Sequence, residues 1–223
     1  MFRTEFEKFA ALDRGISSNA LSGYAGITAS YINPTILEER KLNVAPLDVF
    51  SRLLLDRIIV LGTEINDDVA NIITAQLLFL ASQDDKADIT MYLNTPGGSV
   101  SAGLSIMDTM NLIAPDVATT VTGMAASMGS VLLCSGAKGK RSALPHSRVL
   151  IHQPLGGTRG QASDILIAAK QIENSREELC TIIASQCGQS HDKVFADMDR
   201  DYWMTSQEAL EYGMIDNILG KRK

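Results

Sequence analysis

The residue whose surroundings most favour chemistry is Ser127. It lies in Gly123-Met124-Ala125-Ala126-Ser127-Met128-Gly129, a run of mostly small residues between a strand-like and a helix-like segment. A serine hydroxyl is a weak nucleophile at neutral pH and needs an adjacent base. His152, one of three histidines in the chain, ends an apolar run, where functional residues of α/β proteins often lie. The pair predicts a serine nucleophile with a histidine general base.

The segments around Ser127 also predict groups that stabilise an oxyanion. Ala125 and Gly129 flank the serine at two positions on either side, a close variant of the G-x-S-x-G elbow with alanine first. Backbone N–H groups at the start of a helix are free to bind a developing negative charge. Gly97 and Gly98, in a turn before another helix, are candidates for the second donor because glycine allows close backbone approach. A phosphate-binding role is disfavoured, since no Lys-Ser/Thr or third glycine follows.

A carboxylate that orients the imidazole would complete such a site. The spacing leaves the choice open among Asp164, Asp192, Asp197, Asp199, Asp201 and Asp216. Asp201 is a favoured candidate because it directly precedes a strand predicted at 202–204. We expect the aromatic residues at the start of that strand to bury the Asp201 carboxylate. Of the other histidines, His146 lies before a strand and His191 at the start of a short helix, where we expect exposure to solvent.

Alternating apolar patterns predict the elements that hold these residues. Short apolar runs predict strands at 57–62, 89–94, 117–122 and 148–152, and helical spacing predicts helices at 66–82, 99–113 and 126–135. A longer helix of roughly 24 residues is predicted to stop at Gly188, and a capping box at Thr205 starts a last helix. The long helix either protrudes onto a neighbouring subunit or lies on its own domain. The alternation predicts an α/β fold with a largely parallel or spiral sheet.

Length and composition set the broad class. The chain has 223 residues, which suits one α/β domain at 49–223 after an N-terminal extension at 1–48, whose mixed composition is typical of a pro-segment or a partner-binding arm. A net charge of −6 disfavours nucleic acid as a partner. Three cysteines without metal-ligand spacing predict free thiols, with Cys134 and Cys180 in the core, and no metal site. The absence of a long apolar run or signal peptide predicts a cytoplasmic protein without a membrane span.

Short motifs follow one another between residues 50 and 219. They are Phe50-Ser51-Arg52-Leu53-Leu54, Asn94-Thr95-Pro96-Gly97-Gly98-Ser99-Val100, Gly123-Met124-Ala125-Ala126-Ser127-Met128-Gly129, Arg141-Ser142-Ala143-Leu144-Pro145, Ile151-His152-Gln153-Pro154, Gly160-Gln161-Ala162, Asp199-Arg200-Asp201 and Glu211-Tyr212-Gly213. In this order the set resembles the ClpP family, the proteolytic subunits of Clp proteases. The resemblance implies a ClpP/crotonase-like spiral of ββα units. It also implies a protruding handle, formed by a glycine-rich strand at 153–161 and the long helix.

The resemblance assigns roles residue by residue. It implies that Ser127 is the nucleophile of a serine endopeptidase, His152 the general base and Asp201 the third triad member. The implied oxyanion donors are the backbone N–H groups of Gly98 and Met128. The resemblance implies no cofactor.

The resemblance also implies an assembly and partners. Two heptameric rings would interlock through the handles into a tetradecamer, with Asp199 and Arg200 at the ring-to-ring contact. Unfolded polypeptides would be fed into the closed chamber by a hexameric AAA+ ATPase such as ClpX, ClpA or ClpC. Residues 42–49 depart from the glycine-glutamate-arginine segment that many members have there. The resemblance implies that the extension at 1–48 contains the axial gate segment and a removable propeptide.

Three other functions are compatible with parts of the pattern. A catalytically silent ring subunit is disfavoured because every member of the triad is present. A crotonase-type acyl-CoA enzyme would share the fold and the glycine turn but would not need Ser127. An α/β-hydrolase with the order Ser127, Asp164, His191 is disfavoured by the short chain and by the exposed position expected for His191.

Overall fold

The computed structural model describes residues 8–23, 35–40 and 43–220, and the predicted extension at 1–48 lies partly outside them. The strands are β1 (Thr35–Arg40), β2 (Asn43–Asp48), β3 (Ile58–Leu61), β4 (Ile89–Thr95), β5 (Val117–Ala126), β6 (Arg141–Ala143), β7 (Arg148–Ile151), β8 (Tyr202–Thr205) and β9 (Asn217–Ile218). The helices are α1 (Val49–Leu55), α2 (Asp67–Gln83), α3 (Val100–Leu112), α4 (Met128–Cys134), α5 (Ala162–Cys187), α6 (His191–Asp197) and α7 (Ser206–Tyr212). Strands and helices alternate through the domain, as the apolar runs predict.

The main sheet is parallel except at one edge. Its strands run in the order β3-β4-β5-β6-β9, all parallel. The C-terminal part of β5 pairs in parallel with β7, and β8 adds to β7 as the antiparallel strand. A parallel-dominated sheet covered by helices is the α/β architecture that the sequence predicts.

Local signals in the sequence fix where the helices begin and end. The Asn66 side chain accepts a hydrogen bond from the Val69 N–H at 2.9 Å and so caps α2. Thr205 and Glu208 form the predicted capping box of α7. Gly188 ends α5 with φ +68°, a left-handed conformation that glycine adopts without strain.

The core lies between the sheet and helices α2, α3 and α4. Its large side chains are withdrawn from solvent, among them Ile73, Leu77, Leu93, Ile106 and Leu132. Cys134 and Cys180 are buried, as predicted, and Cys187 is half-buried; all three are free thiols. This packing gives the ends of β4 and β5 a rigid base.

An N-terminal segment packs on the outside of α2. The ring of Phe9, in a π-helical turn at Phe9–Asp13, lies 5.4 Å from the ring of Phe79. Ala10 is fully buried, and the Arg14 guanidinium lies 5.3 Å from the centre of the Phe9 ring. This part of the extension is therefore held against the domain by apolar contact.

The helix α5 is 26 residues long, and only its C-terminal half is anchored. Its buried side chains are Leu179, Cys180, Ile183 and Ala184. Toward its N-terminus, Leu166 and Ile167 are 71% and 70% exposed. Of the two alternatives for this helix, the protruding one agrees with these exposures.

The predicted glycine-rich strand at 153–161 is wrong for the single chain. Residues 152–161 leave β7 without strand structure and run directly into α5. A strand needs a neighbouring strand to accept and donate its backbone hydrogen bonds. Within the described part of the chain no segment pairs with this one, so the glycine-rich stretch stays irregular.

Candidate active site

Ser127 occupies the sharp turn between β5 and α4. Its backbone has φ +55° and ψ −125°, an unusual conformation for a residue with a side chain. Its N–H donates to the Leu150 carbonyl at 2.9 Å, and its carbonyl accepts from the Ser130 N–H at the same distance. The hydroxyl does not cap the helix, although the residue stands in the capping position. The half-buried hydroxyl is thus not used by the helix, and the strained backbone conformation is of the kind found at functional sites.

Close packing around the turn explains the small residues of the motif. Ala125, Ala126 and Met128 are buried beneath the serine. A Cβ at Gly129 would lie 2.6 Å from Thr95 Cγ2, closer than side-chain carbons approach one another. The first turn of α4 consequently lies directly against the end of β4.

The register between β7 and β8 places His152 opposite Asp201. Ile151 pairs with Tyr202 at the end of the antiparallel ladder, so the residues just beyond the ladder face each other. His152 Nδ1 lies 3.0 Å from Asp201 Oδ1. With the Nδ1 proton donated to the carboxylate, Nε2 is left as the nitrogen that can accept a proton. This is the arrangement of a base and the group that orients it.

The predicted burial of Asp201 is wrong. Its side chain is 63% exposed, whereas that of His152 is 19% exposed. Asp201 lies just before β8 begins, and the aromatic residues that follow, Tyr202 and Trp203, are themselves partly exposed at this edge of the sheet. Among the described residues, therefore, the aromatic side chains that follow Asp201 do not cover its carboxylate.

Ser127 and His152 come from adjacent strands. β5 pairs with β7 from Met124 to Ala126, and the two residues follow those strands. No hydrogen bond joins the Ser127 hydroxyl to His152 in the described part of the chain. Catalytic hydrogen bonds often tighten only when substrate binds, so this separation is compatible with a nucleophile and its base.

A glycine turn after β4 faces the serine. Gly97 has φ +89°, and a Cβ there would lie 2.7 Å from Ser127 Cβ and 2.9 Å from the Met128 nitrogen. Gly98 has φ +149° and packs against the Ile65 backbone, where a Cβ would collide with the Ile65 carbonyl. The turn can approach the serine this closely because Gly97 lacks a side chain, and the absence of one at Gly98 lets the same turn pack on the Ile65 backbone.

Two N–H groups beside the serine have no protein acceptor. These are the N–H of Gly98 and that of Met128, the first residue of α4, neither of which finds a partner among the described residues. Free N–H groups at a turn and a helix start are the usual donors of an oxyanion hole. The family resemblance implies an oxyanion role for the same two groups, and that role stays a prediction.

Thr95 is a structural contributor that the sequence reasoning missed. Its hydroxyl accepts from the Gly97 N–H at 3.1 Å and donates to the Thr63 carbonyl at 2.6 Å. It thereby holds the first residue of the glycine turn in place. The sequence carries a signal for this contact, because the hydroxyl of a threonine often accepts a hydrogen bond from the backbone N–H two residues later in a turn.

The far end of α4 is fixed by a buried ion pair. Arg141 is almost fully buried and donates to the Cys134 carbonyl at 3.2 Å and to the Asp216 carboxylate at 2.5 Å. The guanidinium lowers the pKa of Asp216, because its hydrogen bonds favour the charged carboxylate. Helix α4, which directly follows Ser127, is thus anchored at both ends.

The chain is similar to known proteins over almost its whole length. Residues 41–222 match the model of the Clp protease family. A protein of Bacteroides fragilis strain YCH46, named ATP-dependent Clp protease proteolytic subunit, is 62% identical over 218 residues, 98% of this chain and 99% of its own. Proteins with the same name from Porphyromonas gingivalis W83 and Bacteroides thetaiotaomicron VPI-5482 are 62% and 59% identical, over 98% of this chain and 99% of their own.

The chain belongs to the Clp protease family. It is a serine peptidase of that family, as the sequence resemblance predicts. The spiral α/β fold expected of a Clp protease agrees with the parallel-dominated sheet. Neither the silent ring subunit nor the acyl-CoA enzyme is favoured by these matches.

The other two histidines lie outside the turn between β5 and α4 that holds Ser127. His191 begins α6, where its ring lies against Phe195 and its Nε2 is 2.9 Å from Glu177. His146 is exposed before β7. Asp164 lies in the first turn of α5, on the protruding part of that helix. The alternative triad Ser127, Asp164, His191 is therefore not assembled.

The two residues predicted at a contact between Clp protease rings lie near the handle. Asp199 Oδ1 accepts from Arg176 of α5 at 3.1 Å, and its carbonyl accepts from the Gln153 side chain at 2.7 Å. Arg200 is 91% exposed, with its Nε 4.0 Å from Asp199 Oδ2. Asp199 thus links the base of the irregular segment to α5, whereas Arg200 points to solvent.

The described residues offer neither a metal cluster nor a membrane-spanning helix. Among residues 8–23, 35–40 and 43–220, no group of three or more histidines, cysteines or carboxylates is arranged to hold a metal ion. None of the helices in these ranges is long and apolar enough to cross a membrane.

Proposed function

We propose that the chain hydrolyses peptide bonds of unfolded polypeptides, with Ser127 as the nucleophile, His152 as the general base and Asp201 as the group that orients the imidazole. The observation that carries the proposal is the turn at Ser127, where a free hydroxyl lies beside two unpaired N–H groups. The His152–Asp201 hydrogen bond supports it. The names of the relatives, which include the words protease and proteolytic subunit, support the choice of substrate class.

The chemistry follows from these groups. Ser127 attacks the scissile carbonyl while His152 Nε2 takes the hydroxyl proton, and Asp201 stabilises the imidazolium that forms. The N–H groups of Gly98 and Met128 bind the oxyanion of the tetrahedral intermediate. His152 then gives its proton to the leaving amine. A water molecule, deprotonated by His152, hydrolyses the acyl-enzyme and frees Ser127.

The proposal includes an assembly of two heptameric rings, a partner AAA+ ATPase and a cytoplasmic site of action. The word subunit in the relatives' names supports an assembly, and the term ATP-dependent supports an ATPase partner. The exposed apolar side chains on α5 support a handle that packs on a second copy. We further propose that residues 1–48 form an N-terminal extension that contains the axial gate segment and a propeptide, and that removal of the propeptide precedes full activity.

Labelling of the purified wild-type protein tests the function. A fluorophosphonate should attach once per chain, and peptide mapping should place it on Ser127, because no other hydroxyl among the described residues has an adjacent base and oxyanion donors. A short fluorogenic peptide should be hydrolysed without ATP. An unfolded protein should be degraded faster when ClpX and ATP are added.

The same sample distinguishes the competing functions. A label on another serine would contradict the assigned nucleophile. Absence of labelling together with binding of an acyl-CoA would favour a crotonase-type enzyme. N-terminal sequencing of the active material reports on the extension, and an intact Met1 in fully active protein would contradict its removal.

Changing Leu166 to glutamate should weaken the contact between rings. A charge in the middle of an apolar interface leaves the carboxylate desolvated and unpaired, so the double ring should separate into single rings. Native mass spectrometry measures the change. Leu219→Glu, which makes the same replacement at another partly exposed leucine away from α5, is the control. An unchanged double ring in Leu166→Glu would contradict the proposed handle contact.

A further inference from the structure

β5 carries an irregularity just before the serine. In the parallel ladder with β4, Leu93 pairs with Val121, whereas Thr95 pairs with Ala125. Three residues of β5, 122–124, therefore lie opposite the single residue Asn94. Bulges of this kind bend a strand and redirect the residues on their C-terminal side.

The bulge changes the partner of β5. Before it, residues 119–121 pair with β6; after it, residues 124–126 pair with β7. β7 is the strand that leads to His152, so the bend is what brings the end of β5 beside the general base. The Ser127 N–H then continues the contact by donating to Leu150.

The side chain of Asn94 occupies the bulge. Its Oδ1 accepts from the Met124 N–H at 3.1 Å, a backbone donor that the interrupted ladder leaves without a strand partner. Gly123 makes room for it, because a Cβ at that position would lie 2.5 Å from Asn94 Oδ1. The amide of Asn94 thus replaces the backbone group that a regular strand would offer.

We propose that Asn94 is a positioning residue for the hydrolytic reaction: its side-chain carbonyl holds the β5 bulge through the Met124 N–H and so sets Ser127 in line with His152. This inference rests on the proposed function. Asn94 acts through the backbone of β5 rather than by touching the reacting atoms. Displacements of about 1 Å in an active site can reduce the rate by about 100-fold.

Two substitutions separate the acceptor from the rest of the side chain. Asn94→Ala removes the acceptor, and we expect kcat to fall about 10- to 100-fold, with the rate of fluorophosphonate labelling falling in parallel and KM little changed. Asn94→Asp keeps an oxygen of the same reach, and we expect it to retain most of the wild-type kcat. Both are measured on the full-length assembled protein with a short fluorogenic peptide.

A matched control variant and a measurement of the assembly state show whether a fall in kcat is specific to Asn94. Asn111→Ala makes the same replacement at an exposed asparagine on α3 and should leave kcat unchanged. Native mass should show the wild-type assembly in every variant. An unchanged kcat in Asn94→Ala, or equal losses in Asn94→Ala and Asn94→Asp, would overturn the inference. Wild-type labelling at Ser127 is measured alongside, so failure of the proposed function would be seen separately.

Discussion

Replacing Ser127 with alanine should abolish peptide hydrolysis, with kcat falling on the order of 10⁶-fold, the loss typical when a serine protease nucleophile is removed. The physical reason is that no other described hydroxyl combines a free Oγ, two unpaired N–H groups and a histidine on the neighbouring strand. Labelling by a fluorophosphonate should disappear as well. Hydrolysis of a fluorogenic peptide and mass spectrometry of the labelled protein measure the two effects.

The fold and assembly should survive this change. Only one oxygen is lost, and it makes no cap bond to α4, so the free energy of unfolding should change little. Ser185→Ala, at an exposed serine on α5, is the control and should keep full activity. Hydrolysis by the Ser127→Ala variant above about one part in 10³ of wild type would contradict the assignment, because the loss would be smaller than nucleophile removal causes.

The sequence predicts the elements of this fold well where burial decides them. The strand that includes Ile89 and the helix that includes Leu77 follow from apolar periodicity, since both bury a continuous face in the core. The start and the end of α7 follow from Thr205 and Gly213, because threonine favours the N-cap position and glycine the C-terminal end of a helix. In each case the signal lies within a few residues of the structure that it predicts.

The features that the sequence could not predict depend on contacts between distant segments. Spacing alone does not choose Asp201, because its place opposite His152 follows from the register of β7 on β8. The β5 bulge at 122–124 depends on Asn94, a residue of another strand. The strand that the family resemblance implies at 153–161 needs a neighbouring strand, and none pairs with this segment within the described part of the chain, so it stays irregular.

After Ser127→Ala, we expect Gly97→Ala to cause the next largest loss of kcat, because Gly97 contacts a turn that is distant in the sequence. A Cβ at this position would lie 2.5 Å from the Ala126 carbonyl, 2.7 Å from Ser127 Cβ and 2.9 Å from the Met128 nitrogen. The glycine turn must move away from the serine to admit the methyl group. Because the Gly98 N–H moves with it, the oxyanion would lose a donor, and losing one donor typically lowers kcat by about 10²- to 10³-fold.

Backbone strain alone cannot account for such a loss, and a second glycine allows that to be tested. Gly139 has φ +82°, close to the +89° of Gly97, but a Cβ there would meet nothing within 4 Å. Gly139→Ala should therefore cost about 1–2 kcal/mol of unfolding free energy through the left-handed conformation and leave kcat unchanged. Gly97→Ala should show a similar or larger loss of stability together with the fall in kcat. Thermal unfolding and peptide hydrolysis, measured on both variants, separate the two effects. Equal kcat values in the two variants would mean that the turn does not place an oxyanion donor, whereas a loss confined to Gly97→Ala places Gly98 beside the carbonyl that Ser127 attacks.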